Sequence, residues 1–264
     1  MTAEKKKWRL ILSGPGNAYM NMATDEALLE SFIERGSGRC LRIYSWSPGA
    51  FTLGRHQDFA PFHEITRGNE GIDFTRRLTG GGLIFHSGDI SYSVICPYAD
   101  LEISSVRESV KLVSSFLIKA YAYLGIKAAF SGTEIKRNRR EAWFCSGHKE
   151  KYDITARGKK IGGNAQKHKK RFLLQHGSIP LKASDRPPVG VASSLEELLG
   201  YIPSLETVEN HLIRAFRETF RVDFEKTWLT GEEQTLAGRL AKEKYKNEDW
   251  IYRGKTSEET VLAQ

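Results

Sequence analysis

Four clusters of residues in this chain could do chemistry. Cys145 lies in Trp143-Phe144-Cys145-Ser146-Gly147-His148, just after the basic run Lys136-Arg137-Asn138-Arg139-Arg140. A cysteine on a loop near cationic side chains can have a lowered pKa and attack as a thiolate. Beside Trp143 and Phe144 it can equally be a small buried hydrophobe. Lys160 lies in Gly158-Lys159-Lys160-Ile161-Gly162-Gly163-Asn164-Ala165-Gln166. A lysine between glycine-flanked strands can reach an anionic or carbonyl group, or serve a thiol once desolvated. It can also be a solvent-facing hairpin residue. Gln175-His176-Gly177-Ser178-Ile179 places polar groups inside an apolar strand, where His176 is either functional or a satisfied core histidine. The fourth cluster is Arg76-Arg77-Leu78-Thr79-Gly80-Gly81-Gly82-Leu83-Ile84-Phe85-His86. Three consecutive glycines are expected where backbone must approach something closely or adopt positive φ. A thiol, a lysine, histidines and two glycine-rich turns together suit acyl transfer. Neither nucleotide fingerprint, G-x-G-x-x-G or G-x-x-x-x-G-K-[ST], is present.

The elements that must position these residues follow from periodicity. Lys7 to Ser13 reads as a strand ended by Gly14-Pro15-Gly16, and Asn21 to Ile33 as a helix stopped by Gly36. Arg39 to Trp46 and Ala50 to Gly54 read as strands on either side of Pro48-Gly49. Ile72 and Phe74, then Leu83 and Phe85, alternate around the glycines and predict a hairpin. Ile90 to Cys96 is a further strand. Ser104 to Leu124 holds an apolar face of Val106, Val110, Val113, Leu117, Ala120 and Leu124, with Ser105 and Glu108 as a capping box. Ile126 to Phe130 is a strand and residues 131–140 a basic loop. Lys151 to Ala156, Lys160 to Gln166 and Arg171 to Leu181 are strands, Pro187-Pro188 is a breaker, and Ser194 to Leu199 is a short helix. After Pro203 the chain turns helical, with Val208, Leu212, Phe216 and Phe220 on one face and Thr230 and Glu233 capping a second helix. A soft boundary is placed there, giving residues 1–203 and a small helical region of residues 204–264. Strands and helices mix without a βαβ rhythm, which argues α+β.

Composition narrows the function classes. The chain has 264 residues, 40% hydrophobic and 27% charged, the balance of a globular protein. No apolar run approaches a membrane span, and the N-terminal apolar stretch, interrupted by Arg9, is too short for a signal peptide. A cytoplasmic location is the expectation. Cys40, Cys96 and Cys145 are odd in number and widely spaced, which argues against a disulfide framework. Cys40 and Cys96, inside β-like runs, are expected in the core. No C-x-x-C or H-x-x-x-H pair suggests a metal site. The net charge of +8 concentrates in residues 136–140 and in Lys167-His168-Lys169-Lys170-Arg171. Both runs suit a nucleic acid, an acidic membrane surface or an acidic protein, and both can equally be solvated loop surface. Without aromatic interleaving they do not favour a nucleic-acid groove.

These motifs resemble the lipoate–protein ligase and octanoyltransferase superfamily. The resemblance rests on Arg76 to Gly82 with His86, on Gly158 to Gln166, and on Gln175 to Ile179. It extends to Asn21-Met22-Ala23 with Asp25-Glu26-Ala27, Leu41 to Pro48, Leu53-Gly54-Arg55-His56-Gln57, Leu240 to Tyr245 and Asp249-Trp250. It implies the biotin/lipoate ligase-like fold, a mixed sheet with flanking helices and a small helical C-terminal piece. A cysteine ahead of the glycine-flanked lysine is similar to the cysteine-type octanoyltransferases. That similarity implies Cys145 as nucleophile and Lys160 as its activator. The implied reaction takes octanoyl from acyl carrier protein and passes it to a lysine of a lipoyl domain, such as glycine cleavage H protein or 2-oxoacid dehydrogenase E2. No cofactor, membrane or nucleic acid is implied. The substrate-binding residues implied are Arg77, Thr79, Gly80, Gly81, Gly82, His86, Gly162, Gly163, Asn164, Gln166, His176 and Gly177. Backbone N–H groups of Gly80 to Gly82, or near Gly162-Gly163, would hold the oxyanion. Gly82 is the more ligase-like feature, and the alternative is an ATP- and magnesium-dependent lipoate ligase forming lipoyl-AMP, with Cys145 a bystander.

Overall fold

The structure, a computed structural model, describes residues 6–63, 65, 69, 71–132, 152–183 and 193–255. Cys145, the basic run at residues 136–140 and Pro187-Pro188 lie outside the described residues.

The chain opens with β1 (Lys7–Gly16) and α1 (Ala18–Arg35), then β2 (Cys40–Trp46) and β3 (Ala50–Leu53). β1 runs three residues past the predicted stop, because a bulge between Leu12 and Gly14, with Gly14 at φ +66°, lets the strand keep pairing with β2. α1 is capped by the Asn17 side chain, which accepts from the Met20 N–H, and ends at Gly36 in the left-handed region. Next come β4 (Asp73–Arg76), β5 (Ile84–His86), β6 (Asp89–Pro97), α2 (Val106–Tyr123) and β7 (Ala129–Phe130). Ser105 caps α2, its hydroxyl accepting from the Glu108 N–H. The chain continues through β8 (Ile154–Ala156), β9 (Lys159–Lys160), β10 (Gly163–Lys169), β11 (Phe172–Pro180), α3 (Leu195–Leu199), α4 (Leu205–Phe220) and β12 (Asp223–Lys226). α5 (Gly231–Leu240) follows, with the capping box of Thr230 and Glu233 formed as predicted. Two wide π-type turns, Ala241–Tyr245 and Asp249–Arg253, come after it.

Six strands make the main sheet in the order β10-β11-β6-β2-β1-β12. β1 lies parallel to β2 and β12, while β2, β6, β11 and β10 pair antiparallel. The mixed sheet with flanking helices is the α+β arrangement expected. Strand alternation sorts the side chains onto two faces. Leu10, Leu41, Ile43, Tyr92, Val94 and Leu173 enter a core with Phe116 and Leu117 of α2 and Leu212 and Phe216 of α4. The intervening Ile11, Cys40, Ile95 and Leu174 pack with Leu28 and Leu29 of α1. Cys40 and Cys96 are both buried, as read from the sequence, and burial pushes the Cys40 thiol up to about 12. No described helix is long and apolar enough to cross a membrane.

The predicted glycine-rich hairpin does not form. β4 and β5 do not pair with each other; β3 lies between them, parallel to β4 and antiparallel to β5. Residues 77–83 therefore bridge across a strand instead of turning back on their neighbour.

Candidate active site

Arg42, Tyr44, Ser91, Ser93, His176 and Ser178 occupy the same strand parity as Cys40, Ile95 and Leu174, so the main sheet turns its polar positions toward α1. A narrow, half-open cleft lies there, lined by Met22, Tyr44, Trp46, Ile84 and Ala165 together with Arg77, His86, Asn164, His176 and Ser178. An apolar wall with a few convergent polar groups is the make-up of a small-ligand site.

Two histidine–carboxylate pairs stand at the cleft. His86 Nδ1 is 2.8 Å from Asp89 Oδ2, and its Nε2 is 2.8 Å from Thr52 Oγ1. Arg77 donates to Thr52 Oγ1 at 2.8 Å and to the Thr52 carbonyl at 2.6 Å. That leaves the Thr52 hydrogen for His86 Nε2 and the Nδ1 hydrogen for Asp89, a neutral imidazole. Burial lowers the His86 pKa, more than Asp89 raises it. Trp46 stacks on the ring with centroids 3.7 Å apart and donates to Ser91 at 2.9 Å. Asp89 Oδ2 also accepts from Ser178 at 2.6 Å and Ser91 at 3.3 Å.

The second pair is His176 with Asp25, Nδ1 to Oδ2 at 3.1 Å. Asp25 is 2% exposed and bridges to Arg42 at 2.7 Å. Burial alone would raise its carboxyl, but the charge of Arg42 and the bond from His176 outweigh that and hold it below the ordinary range. His176 Nε2 is 2.6 Å from Thr79 Oγ1, at the head of the glycine run.

The run itself is fixed from several sides. Arg77 donates to the carbonyls of Gly82 at 2.7 Å and Gly80 at 3.2 Å, so its guanidinium holds the bridge. Gly81 has φ +97° and packs so tightly on Gly54 that a Cβ on Gly54 would lie 1.8 Å from the Gly81 oxygen. Arg76 is buried and donates to the carbonyls of Gly54, Gln57, Trp250 and Ile251 at 2.7–3.0 Å. Burial, with Arg55 and Arg77 nearby, pushes its pKa down to about 10. Trp250 Nε1 returns a bond to the Arg76 carbonyl at 2.9 Å.

Lys160 is buried, 4% exposed, and pairs with Asp153 at 2.9 Å. Its own carbonyl accepts from Ser193 N, and the Ile161 carbonyl accepts from Tyr121 at 2.7 Å. Gly162 lies against the Ser178 carbonyl, and Gly163 and Gly177 line the cleft. Asn164 lines it too, its side chain accepting from Tyr92 at 2.7 Å. Gln166 goes elsewhere: it faces α2, bonded to Ser109 at 2.6 Å and Gln175 at 2.7 Å. The thiol–lysine pairing falls outside the described residues, because Cys145 does. Sequence reasoning assigned no site role to Asp25, Thr52, Asp89, Ser91 or Ser178. The only signal for Asp25 and Ser178 was their place in the motifs. Thr52 carried none, since it reads as an ordinary strand residue, and Asp89 stands just ahead of the predicted Ile90–Cys96 strand, beside Gly88.

Residues 17–217 match the family model described as the lipoyl protein ligase A/B catalytic domain. The chain is 30% identical to octanoyltransferase LipM of Staphylococcus epidermidis, covering 93% of this chain and 98% of the relative. It is 31% identical to octanoyltransferase LipM of Kyrpidia tusciae with the same coverage. Among solved structures, lipoate-protein ligase A bound with ATP superimposes with a TM-score of 0.75 at 27% identity, covering 93% of this chain and 98% of that one. The bi-partite lipoate protein ligase of Thermoplasma acidophilum, solved with its E2 lipoyl domain, gives a TM-score of 0.74 at 25% identity, covering 94% and 96%. With the family model spanning most of the chain and the mixed sheet, glycine bridge and buried lysine all in place, the chain belongs to the lipoyl protein ligase A/B family.

Proposed function

We propose that this enzyme is an octanoyltransferase of protein lipoylation that works through a thioester on Cys145. The observation that carries the reading is the similarity, over nearly the whole chain, to curated octanoyltransferases. The apolar wall of Met22, Tyr44, Trp46 and Ile84, ending at Arg77, His86 and His176, supports it as a place for an acyl chain with its carbonyl at the polar end.

In the first half-reaction the Cys145 thiolate attacks the acyl carbonyl of octanoyl-acyl carrier protein. The bond to the carrier sulfur breaks and the carrier leaves as a thiol. In the second, the neutral amine of a lysine on a lipoyl domain attacks the enzyme thioester, the amide forms and Cys145 regains its proton. Covalent catalysis divides one hard transfer into two easier ones, and the thioester supplies the driving force without a cofactor. Lys160 serves the thiol, as a cation beside the thiolate or as its proton acceptor. Backbone N–H groups of the glycine run hold the oxyanion in both steps. The acceptors are lipoyl domains such as those of glycine cleavage H protein and 2-oxoacid dehydrogenase E2, and the setting is the cytoplasm.

Intact-mass measurement after incubation with octanoyl-acyl carrier protein, without ATP, tests this. One added octanoyl group that disappears in Cys145→Ala is the expected result. A folded protein that gains nothing from the thioester, yet modifies a lipoyl domain when given lipoate, ATP and magnesium, would establish the ligase reading instead. The ATP-bound structural neighbour and Gly82 are what keep that second reading in play.

A further inference from the structure

Asp25 has no spare hydrogen-bonding capacity. Oδ1 accepts from Arg42 Nη1 at 2.7 Å and Ser93 Oγ at 2.8 Å. Oδ2 accepts from His176 Nδ1 at 3.1 Å and the Tyr44 hydroxyl at 3.2 Å. An ionised carboxylate only accepts, at about four lone-pair positions, so His176 must hold its hydrogen on Nδ1. In the neutral ring Nε2 is then an acceptor, and the single hydrogen it takes is that of the Thr79 hydroxyl, 2.6 Å away. Two links, Asp25 to His176 and His176 to Thr79, thus run from a buried helix, through a strand inside the sheet, to the residue preceding Gly80. Asp25 itself is held by Arg42 and Tyr44 of β2 and Ser93 of β6, the central pair of the main sheet. On the other side of the bridge, the Thr79 carbonyl accepts from Arg55 N at 2.7 Å and Arg77 takes the Gly80 and Gly82 carbonyls. Among these contacts, His176 is the one that binds Thr79 through its side chain.

We infer that His176, backed by Asp25, is a positioning residue for the reaction. It anchors Thr79 and thereby aims the Gly80–Gly82 backbone at the acyl carbonyl, and it moves no proton during the chemistry. Both of its nitrogens are committed to the protein, which leaves neither for the substrate. The inference rests on the lipoylation chemistry proposed above but not on which donor the enzyme uses.

The test is single-turnover formation of acyl-lysine on a lipoyl domain, with octanoyl-acyl carrier protein in one series and lipoate plus ATP in another. Whichever donor the wild-type enzyme uses serves for the variants, so a failure of the thioester route shows separately from a failure of this inference. A group misplaced by about 1 Å costs around a hundredfold. Thr79→Val and His176→Leu should each lower the rate constant ten- to a hundredfold with little change in donor KM. Glutamine places an amide oxygen near the position of Nε2 and is no base, so His176→Gln should stay within about fivefold of wild type with the same pH–rate inflection. Thr79→Ser should do likewise. Thr79→Val and His176→Leu cut the same link, so the double variant should fall no further than the worse single one. Urea midpoints of all variants separate these effects from loss of fold. The inference is overturned if His176→Gln falls as far as His176→Leu, which is what a proton-transferring histidine requires, or if the double variant falls by the product of the two singles.

Discussion

Lys160 is a charge taken out of water and paired with Asp153 at 2.9 Å. Breaking a buried pair from one side leaves an uncompensated charge, which typically costs about 3–5 kcal/mol, whereas replacing both partners with apolar residues is often close to neutral. Asp153→Asn should therefore lose about that much stability in urea denaturation, while Lys160→Met with Asp153→Leu recovers most of it and is inactive. Equal losses in the single and double variants would show that the pair is not the source. At this scale the sequence spoke unevenly. Lys160 stood out because glycines flank it. Asp25 did not, because a charge in a helix reads as a solvated face. α1 has no such face in its first two turns: Asn21, Met22, Ala23, Thr24, Asp25 and Glu26 are all buried between the sheet and the C-terminal turns. Glu26 is satisfied there by Lys244 at 2.7 Å and Tyr245 at 2.8 Å, residues more than two hundred positions away.

At the scale of elements, the glycine bridge depends on one backbone-to-backbone approach. A methyl group on Gly54 would overlap the Gly81 carbonyl, whereas a Cβ on Gly80 would meet nothing within 4 Å. Overpacking of this kind costs about 1–3 kcal/mol and sometimes more. Gly54→Ala should lower the melting temperature and the transfer rate together, and Gly80→Ala should leave the melting temperature within error. A melting temperature unmoved by Gly54→Ala would mean that the two glycines are not in contact. The other strands of the main sheet, the two C-terminal helices with the Thr230–Glu233 cap, and the stop at Gly36 were legible from periodicity and capping chemistry, whereas β12 was not, since Asp223–Lys226 is too short and too polar to stand out from the helical run around it. The hairpin was misread because local alternation specifies two strands but not the third that enters between them. β3 reaches that position from twenty residues upstream, a placement set by tertiary packing of Phe51 on Phe74 and Phe85. Gln166 shares a face of β10 with Asn164 but lies two residues further along the strand, where that face meets α2.

Across the whole molecule, one buried and one half-buried histidine couple stability to pH. The folded-state pKa of His86 lies below that of an exposed histidine because burial disfavours its charge, and His168 is lowered in the same way. Between the folded and unfolded values the unfolded chain holds more protons, so stability rises with pH through that window. Acidification below about 6.5 should therefore lower the stability read from the urea midpoint, by at most about 1.4 kcal/mol per pH unit for buried His86 and by less for half-buried His168. Asp25 is lowered too, so its contribution is present above the ordinary carboxylate value and is lost only as pH falls further. Urea midpoints measured from pH 8 to pH 5 check the sign. A midpoint that is flat, or that rises on acidification, would show that the histidines gain protons on folding.

The clamp on Arg76 also sets a schedule for synthesis. Its guanidinium and its carbonyl are both satisfied by Trp250 and its neighbours, 174 residues downstream. At the usual pace of translation, about 5–20 residues per second, those partners are added roughly ten to thirty seconds after Arg76. Through that interval the nascent chain can pair β1 with β2 and pack α1, but Arg76 has only its upstream partners, the Gly54 and Gln57 carbonyls, and lacks the C-terminal half of its clamp. Binding competence is thus acquired late in translation, and a ribosome stalled before residue 250 carries a chain with its sheet partly formed and its acyl site open.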